Sequence, residues 1–232
     1  MNEEVLIVIP ARSNSKRIKN KNIKNFFNKP IILYSVENAL KSKITSLIHI
    51  STDSANIRKL IQEKTSIKID FLRPKNLATD KTPIIDVVRY TFNKYKSKGY
   101  NIKYVILLTA CSPLLDEKDL IRGLKIAKQN RTNYPVLGVT EFPTPIEWAL
   151  KKNNNNTIQF LTNDFSKNSQ KFTNKFYDTG TIAIFKSEVL EKSSVNKFFK
   201  KFIPMIIPRY KAVDIDTKED WKFAEIIYSG LN

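Results

Sequence analysis

The sequence predicts an α/β fold, a mostly parallel, doubly wound sheet with helices on both faces. Three observations point there. Wholly apolar, β-branched runs recur along the chain, the pattern of strands buried on both faces. Segments with apolar residues at helical spacing separate them, giving the β/α alternation of a parallel sheet. The first run, Val5–Ile9, also breaks at Pro10 into a loop rich in cations, as happens where a strand ends at the ligand crevice of an open sheet.

In chain order, Val5–Ile9 is the first strand. Pro30–Lys43 reads as a helix, with proline at its start and Ile32, Val36, Ala39 and Leu40 on one face. Ser46–Thr52 is a second strand, ending at Asp53 and followed by a helix through Lys64. Lys68–Leu72 reads as a short strand. Thr82 and Pro83 offer an N-cap and first helical position for a helix to about Lys96. Tyr104–Thr109 is a strongly apolar strand, Asp116–Asn130 a helix capped by Asp116, and Pro135–Thr140 another strand. Thr217–Tyr228 closes the pattern as a helix, with Thr217 and Asp220 spaced as a capping box.

The alternation breaks at 141–177. Two short strand candidates, Glu147–Lys151 and Thr157–Leu161, flank the polar turn Asn153–Asn156. An isolated hairpin buries little, so Trp148, Ile158 and Phe160 need a partner surface. That surface is either the hairpin's own domain or a second copy of the chain. The reading adopted is one domain over 1–232 with an inserted dimerisation arm at 141–177.

Composition narrows the function. The 232 residues are 41% hydrophobic and 11% aromatic, enough for a large core, and no segment has the run of about 18 apolar residues that a membrane span needs. The first residues place acids before a short apolar stretch, the reverse of a secretory signal, so a cytoplasmic protein is expected. One cysteine, Cys111, excludes a disulfide framework, and one histidine, His49, argues against histidine-based metal or triad chemistry. His49 sits in a strand-like run and is expected to be packed. The net charge of +18 comes mostly from lysines spread along the chain, with no arginine-rich or aromatic-basic module. No specific nucleic-acid partner is expected.

The loop after the first strand holds Arg12, Lys16, Arg17, Lys19 and Lys21. It has neither the G-x-x-x-x-G-K-[ST] nor the G-x-G-x-x-G spacing, so any phosphate cradle must rely on side-chain cations. A triphosphate, with about four negative charges, suits such a cluster. The alternative is a solvated basic loop. Near the other end of the chain, Asp214 and Asp216 stand two apart in VDIDT. In a strand that spacing puts both carboxylates on one face with Ile215 on the other. Such a pair suits Mg²⁺, which binds oxygen ligands and bridges to phosphate. Alternatively, Asp216 merely precedes the helix at Thr217.

Four segments carry a resemblance: IPARSNSKRIKNKNI, the helix start KPIILYSVENAL, FLRPKNLATDKT (Phe71–Thr82) and VDIDTKEDW (Val213–Trp221). Together they resemble the CMP-sugar synthetases, cytidylyltransferases that activate nine-carbon sialic-acid-like sugars. The resemblance spans nearly the whole chain. It implies a Rossmann-like, GT-A-like nucleotidyltransferase using CTP and Mg²⁺, working as a homodimer whose arm reaches the partner's site. It implies nucleotide contacts from Ala11, Arg12, Ser13, Lys16, Lys21, Asn22, Arg73 and Thr82. Arg12 and Lys21 would hold phosphate and stabilise the leaving pyrophosphate, and Asn22 would read cytosine with an amide that both donates and accepts. Without the resemblance, Arg73 reads as a surface residue before Pro74. Asp214 and Asp216 would hold the metal, and Arg12, Lys21 and Asp216 are the catalytic candidates.

The sugar side departs from the sialic-acid branch, which carries Q-P-T-S-P-L where this chain has Thr109-Ala110-Cys111-Ser112-Pro113-Leu114. NSQKFTNKFYDTG and IPRYKAVDIDTKEDW are similar to the pseudaminic acid branch, although the histidine of that branch's Y-H-D-A-G is skipped at Tyr177-Asp178-Thr179-Gly180. The resemblance thus implies sugar contacts from Thr109, Ser112, Gln170, Tyr177 and Asp178. Pseudaminic acid is the expected acceptor. N-acetylneuraminic, legionaminic and 3-deoxy-manno-octulosonic acids are the alternatives within the class, and a non-catalytic nucleotide- or polyanion-binding protein is the alternative outside it.

Overall fold

A computed structural model describes residues 5–162, 172–191 and 201–231. Val5–Pro10 forms β1, and its side chains from Val5 to Ile9 are buried, as a strand covered on both faces requires. It runs parallel to β4 (Ile48–Ser51) on one flank and to β5 (Tyr104–Leu108) on the other. The chain leaves β1 through α1 (Ile32–Ser42) to reach β4, then returns through α2 (Ala55–Lys64) and α3 (Ile84–Ser97) to β5 on the opposite side. That reversal creates a topological switch point between β1 and β5, where an open α/β sheet gapes at its carboxyl edge.

The sheet order is β10-β6-β9-β5-β1-β4, with β6 at Val136–Glu141, β9 at Phe176–Lys186 and β10 at Ile203–Ile206. β9 is antiparallel to both β5 and β6, and β10 pairs parallel with β6. Alternate residues of β1 feed two cores. Val5, Ile7 and Ile9 pack with α1, α2, α4 (Glu117–Gln129) and α6 (Lys218–Leu231). Leu6 and Val8 pack with α3 and α5 (Ser187–Glu191) on the other face. Asp116 caps α4 as expected, in a capping box with Asp119, and Thr217 and Asp220 form the expected capping box on α6.

Four sequence expectations are corrected. The first helix begins at Ile32, because Pro30 lies in β3 (Lys29–Pro30), which pairs with β2 (Asn25–Phe26). Lys68–Leu72 is not a strand; Ile67 and Ile69 are buried, but no sheet partner faces them. Thr82 does not cap α3, since its hydroxyl turns back to Thr79 and the Asn76 carbonyl, leaving Pro83 as the N-cap residue. VDIDT is extended but unpaired. It still alternates, burying Val213 and Ile215 and turning Asp214 and Asp216 outward.

Besides β2 and β3, two strands of the main sheet were not anticipated. β9 runs unbroken through Gly180, whose φ of +65° accompanies a shift in register against β6 between Leu137 and Val139. β10 contains Pro204, which an edge strand tolerates because its outer N–H side needs no partner. At the break in alternation, Ile146–Trp148 is a 3₁₀ turn rather than strand, and the hairpin is β7 (Leu150–Lys152) with β8 (Ile158–Phe160). The two form a sheet of their own, with every residue exposed. Asn156 takes the left-handed conformation at the tip (φ 64°), which asparagine adopts more readily than most residues.

Candidate active site

A cavity of about 630 Å³ opens at the carboxyl ends of β1 and β5, the switch point of the sheet. Cations line one side of it. Asn20, at φ 54°, starts a 3₁₀ turn over Lys21–Ile23 that turns the chain back toward the cavity. The Lys21 ammonium then donates to the Ile215 carbonyl (2.6 Å) and to Asp216 Oδ1 (3.0 Å). Arg17 donates to Asp216 Oδ2 at 2.8 Å. These bonds join the first loop to the segment before α6. An aromatic cluster holds the same junction from behind: Phe26 lies edge-on to Tyr34, Trp221 and Tyr228, with ring centroids 5.4–5.6 Å apart.

Asp214 faces the cavity beside Asp216. Partial burial and the neighbouring Asp216 charge push its carboxyl up from 3.8 to about 6, against the pull of Lys21. Gly180 lies against it. A Cβ there would stand 2.7 Å from Asp214 Oδ2, so only glycine leaves the carboxylate its place. Two acids repelling one another at a cavity wall form a cradle that a divalent cation would quench. Among the described residues no cluster of three or more His, Cys, Asp or Glu is arranged to hold a metal. The pair suits Mg²⁺, which keeps waters and phosphate oxygens in its shell and needs few protein ligands.

Arg73 also reaches the cavity and is buried, not a surface residue. Its side chain donates to the Ser51 hydroxyl (3.3 Å) and carbonyl. Burial lowers its pKa to about 10, opposed by the Asp53 charge. A buried guanidinium whose hydrogen-bond partners are neutral is a ready anion contact. Asn22 is buried at the floor. Its amide nitrogen donates to the Arg12 carbonyl (2.9 Å), and its oxygen accepts from the Cys111 thiol (3.3 Å). The Arg12 carbonyl only accepts, so this pairing fixes the polarity of the amide. Arg12 and Lys16 both contact Asp80, Lys16 at 2.6 Å.

The cavity therefore gathers Arg12, Lys16, Lys21, Asn22, Arg73, Thr109, Asp214 and Asp216 from the sequence-based set. The rest lie elsewhere. Ala11 is buried, and its N–H is used by the Ser51 carbonyl (2.9 Å). Ser13 gives both its N–H and its hydroxyl to Asp53 (2.8 and 2.6 Å), bracing the loop instead of facing the cavity. Thr82 is turned into its own loop. Ser112 is buried beneath the cavity, its hydroxyl 2.5 Å from that of Thr109. Tyr177 packs on Phe142 (4.9 Å), and Asp178 accepts from the Gly180 N–H, both off the lining. Gln170 lies outside the described residues. His49 is packed as expected, stacked on Phe71 (4.2 Å), its Nδ1 3.1 Å from the Tyr95 hydroxyl; burial lowers its pKa to about 3.

Sequence reasoning counted Arg17 only as one of the loop cations, and gave no site role to Asp80, Cys111 or Gly180. Arg17 and Asp80 stood inside recognised segments, but nothing in a linear pattern pairs Asp80 with a loop 68 residues earlier. Gly180 carried a legible signal, a glycine inside a run of strand-forming residues.

The chain has likenesses among known proteins. The family model described as cytidylyltransferase matches residues 6–202. A pseudaminic acid cytidylyltransferase of Campylobacter jejuni is 34% identical over 225 residues, 96% of this chain and 95% of that protein. A CMP-N,N'-diacetyllegionaminic acid synthase of the same species is 30% identical, covering 99% of this chain and 97% of the relative. Among solved structures, a CMP:2-keto-3-deoxy-manno-octonic acid synthetase complexed with CTP superposes with a TM-score of 0.70 at 15% identity, over 99% of this chain and 100% of that one. This last likeness concerns the fold.

Proposed function

The chain belongs to the cytidylyltransferase family, and from that premise we propose that it transfers CMP from CTP to a nonulosonic acid, with pseudaminic acid as acceptor. One observation supports this most directly. One cavity at the switch point has Arg12, Lys16 and Arg73 for an anion and, joined to the same loop through Arg17 and Lys21, a carboxylate pair for a divalent cation. A metal–triphosphate complex has that polarity.

In the proposed reaction the anomeric hydroxyl oxygen of the sugar, its proton passing to solvent, bonds to the α-phosphorus of CTP. The bond from that phosphorus to the bridging oxygen breaks, and pyrophosphate leaves. Arg12, Lys16 and Arg73 would hold the departing phosphates, and Lys21 would bridge their charge to Asp216. Asn22, its amide held by Arg12 and Cys111, would present one N–H and one oxygen lone pair to the cytosine edge. Asp214 and Asp216 would hold Mg²⁺, which when bound supplies charge neutralisation at the phosphates. Thr109 stands where the sugar would approach. The exposed β7–β8 hairpin would seat on a second copy of the chain, and that copy would complete the sugar side. Pseudaminic acid is favoured over legionaminic acid by the greater identity to the relative named for it.

The test is pyrophosphate release with CTP and Mg²⁺ against a panel of nonulosonic acids. Turnover with pseudaminic acid above all others is expected. Turnover with another nonulosonic acid alone would overturn the acceptor, and none with any of them would overturn the reading.

A further inference from the structure

We propose that Asp80 is a built-in competitor for the phosphate site, standing in for the triphosphate on Arg12 and Lys16 in the free protein and speeding the release of pyrophosphate. The inference rests on Arg12 and Lys16 being the phosphate cations. Asp80 lies in the exposed loop between the 3₁₀ turn at Lys75–Leu77 and α3, and one carboxylate oxygen contacts each cation. This is the bridging arrangement a phosphate oxygen pair would adopt. The two contacts hold the Asp80 carboxyl below its ordinary range.

Asp80, Arg12 and Lys16 also line a second cavity of about 600 Å³, together with Lys75, Thr79 and Asp53. Asp53 is engaged by Ser13 there, so it does not compete for the cations. The carboxylate thus stands on the wall between two spaces that share the same two cations, with room to swing away when a triphosphate enters. Thr79 and Thr82, hydroxyls 2.8 Å apart, tie the ends of the Asp80 turn together, so it can move as one piece. Pyrophosphate presents several anionic oxygens to Arg12 and Lys16 and would leave slowly from an unopposed pair. An aspartate tethered beside them has a high effective concentration and re-forms the contacts as soon as one phosphate contact opens.

Isothermal titration of the folded protein with inorganic pyrophosphate, with and without Mg²⁺, tests this in three forms: wild type, Asp80→Asn and Asp80→Glu. Asp80→Asn should bind pyrophosphate about three- to tenfold more tightly. It should show correspondingly stronger product inhibition and a lower KM for CTP, with kcat unchanged or reduced. Asp80→Glu, which keeps the charge, should restore weak binding. A purely structural role would not produce tighter binding in one variant and its reversal in the other. Unchanged or weaker pyrophosphate binding in Asp80→Asn overturns the inference. So does a raised Mg²⁺ requirement with lost turnover, which would make Asp80 a metal ligand. If wild type binds no pyrophosphate, or Arg12→Ala binds it equally well, the assignment of the phosphate cations falls and the inference with it.

Discussion

Replacing Asp214 with asparagine should cost activity and raise stability, and the two effects have one cause. In the folded chain the Asp214 carboxyl rises from 3.8 to about 6, through partial burial and the charge of Asp216. A carboxyl raised in the folded state binds protons more tightly there than in the unfolded chain. Its ionised form therefore opposes folding, fully above about pH 6 and not at all below about pH 4. In a dry site the rise would be worth about 3 kcal/mol. Asp214 is more than one-third exposed, and solvent screening reduces the figure to about 1 kcal/mol. Asp214→Asn should then gain about 1 kcal/mol at pH 7.5, or about 2–4 °C in Tm. Its turnover should fall on the order of 10²-fold or more, because half of the carboxylate cradle is gone. Urea denaturation at pH 7.5, 5 and 4 is the assay. The gain should shrink through pH 5 and vanish at pH 4, and adding Mg²⁺ with CTP should stabilise wild type more than the variant. A variant less stable than wild type at pH 7.5, or a gain that ignores pH, would refute the reasoning.

Other predictions follow from the same geometry. Cys111→Val removes the thiol that donates to the Asn22 oxygen and leaves the amide tethered by the Arg12 carbonyl alone, so the preference for CTP over UTP should fall about 5- to 10-fold with little change in Tm; unchanged discrimination in competition assays would count against it. Thr82→Ala should leave KM for CTP within about twofold of wild type, since the hydroxyl turns into its own loop. Ile158→Ser with Phe160→Ser, at residues 63% and 42% exposed, should shift sedimentation from dimer to monomer while CTP affinity stays within about twofold. A wild type that sediments as a monomer with full activity would remove the arm from the mechanism.

The sequence made the parallel half of the fold legible because buried strands and amphipathic helices write their periods locally. β1, β4, β5 and β6, with α1 to α4, all lie close to their expected places. It was least informative where structure depends on distant partners. Ile67 and Ile69 look like a strand because burial selects the same residue types whether or not a ladder forms. β9 was hidden because a glycine at 180 interrupts its run of strand-forming residues, and that glycine leaves room for Asp214, a demand set 34 positions away. The site behaved alike. Loop cations and the paired aspartates were visible as clusters, whereas Ser13, Ala11 and Thr82 sat in matching segments yet point elsewhere. Which side of a loop a hydroxyl takes is decided by its bonding partner, and for Ser13 that is Asp53, 40 positions on.

The bond from Lys21 to the Ile215 carbonyl spans 194 positions. At synthesis rates of 5–20 residues per second, the second half of the cavity follows the first by about 10–40 s. During that interval Arg17 and Lys21 lack Asp216, and the loop lacks the Trp221 and Tyr228 rings behind it. A nascent chain with this loop exposed is a polycation beside polyanionic ribosomal RNA. The docking of α6 is therefore also the moment at which the growing chain exchanges an indiscriminate electrostatic partner for its own carboxylates.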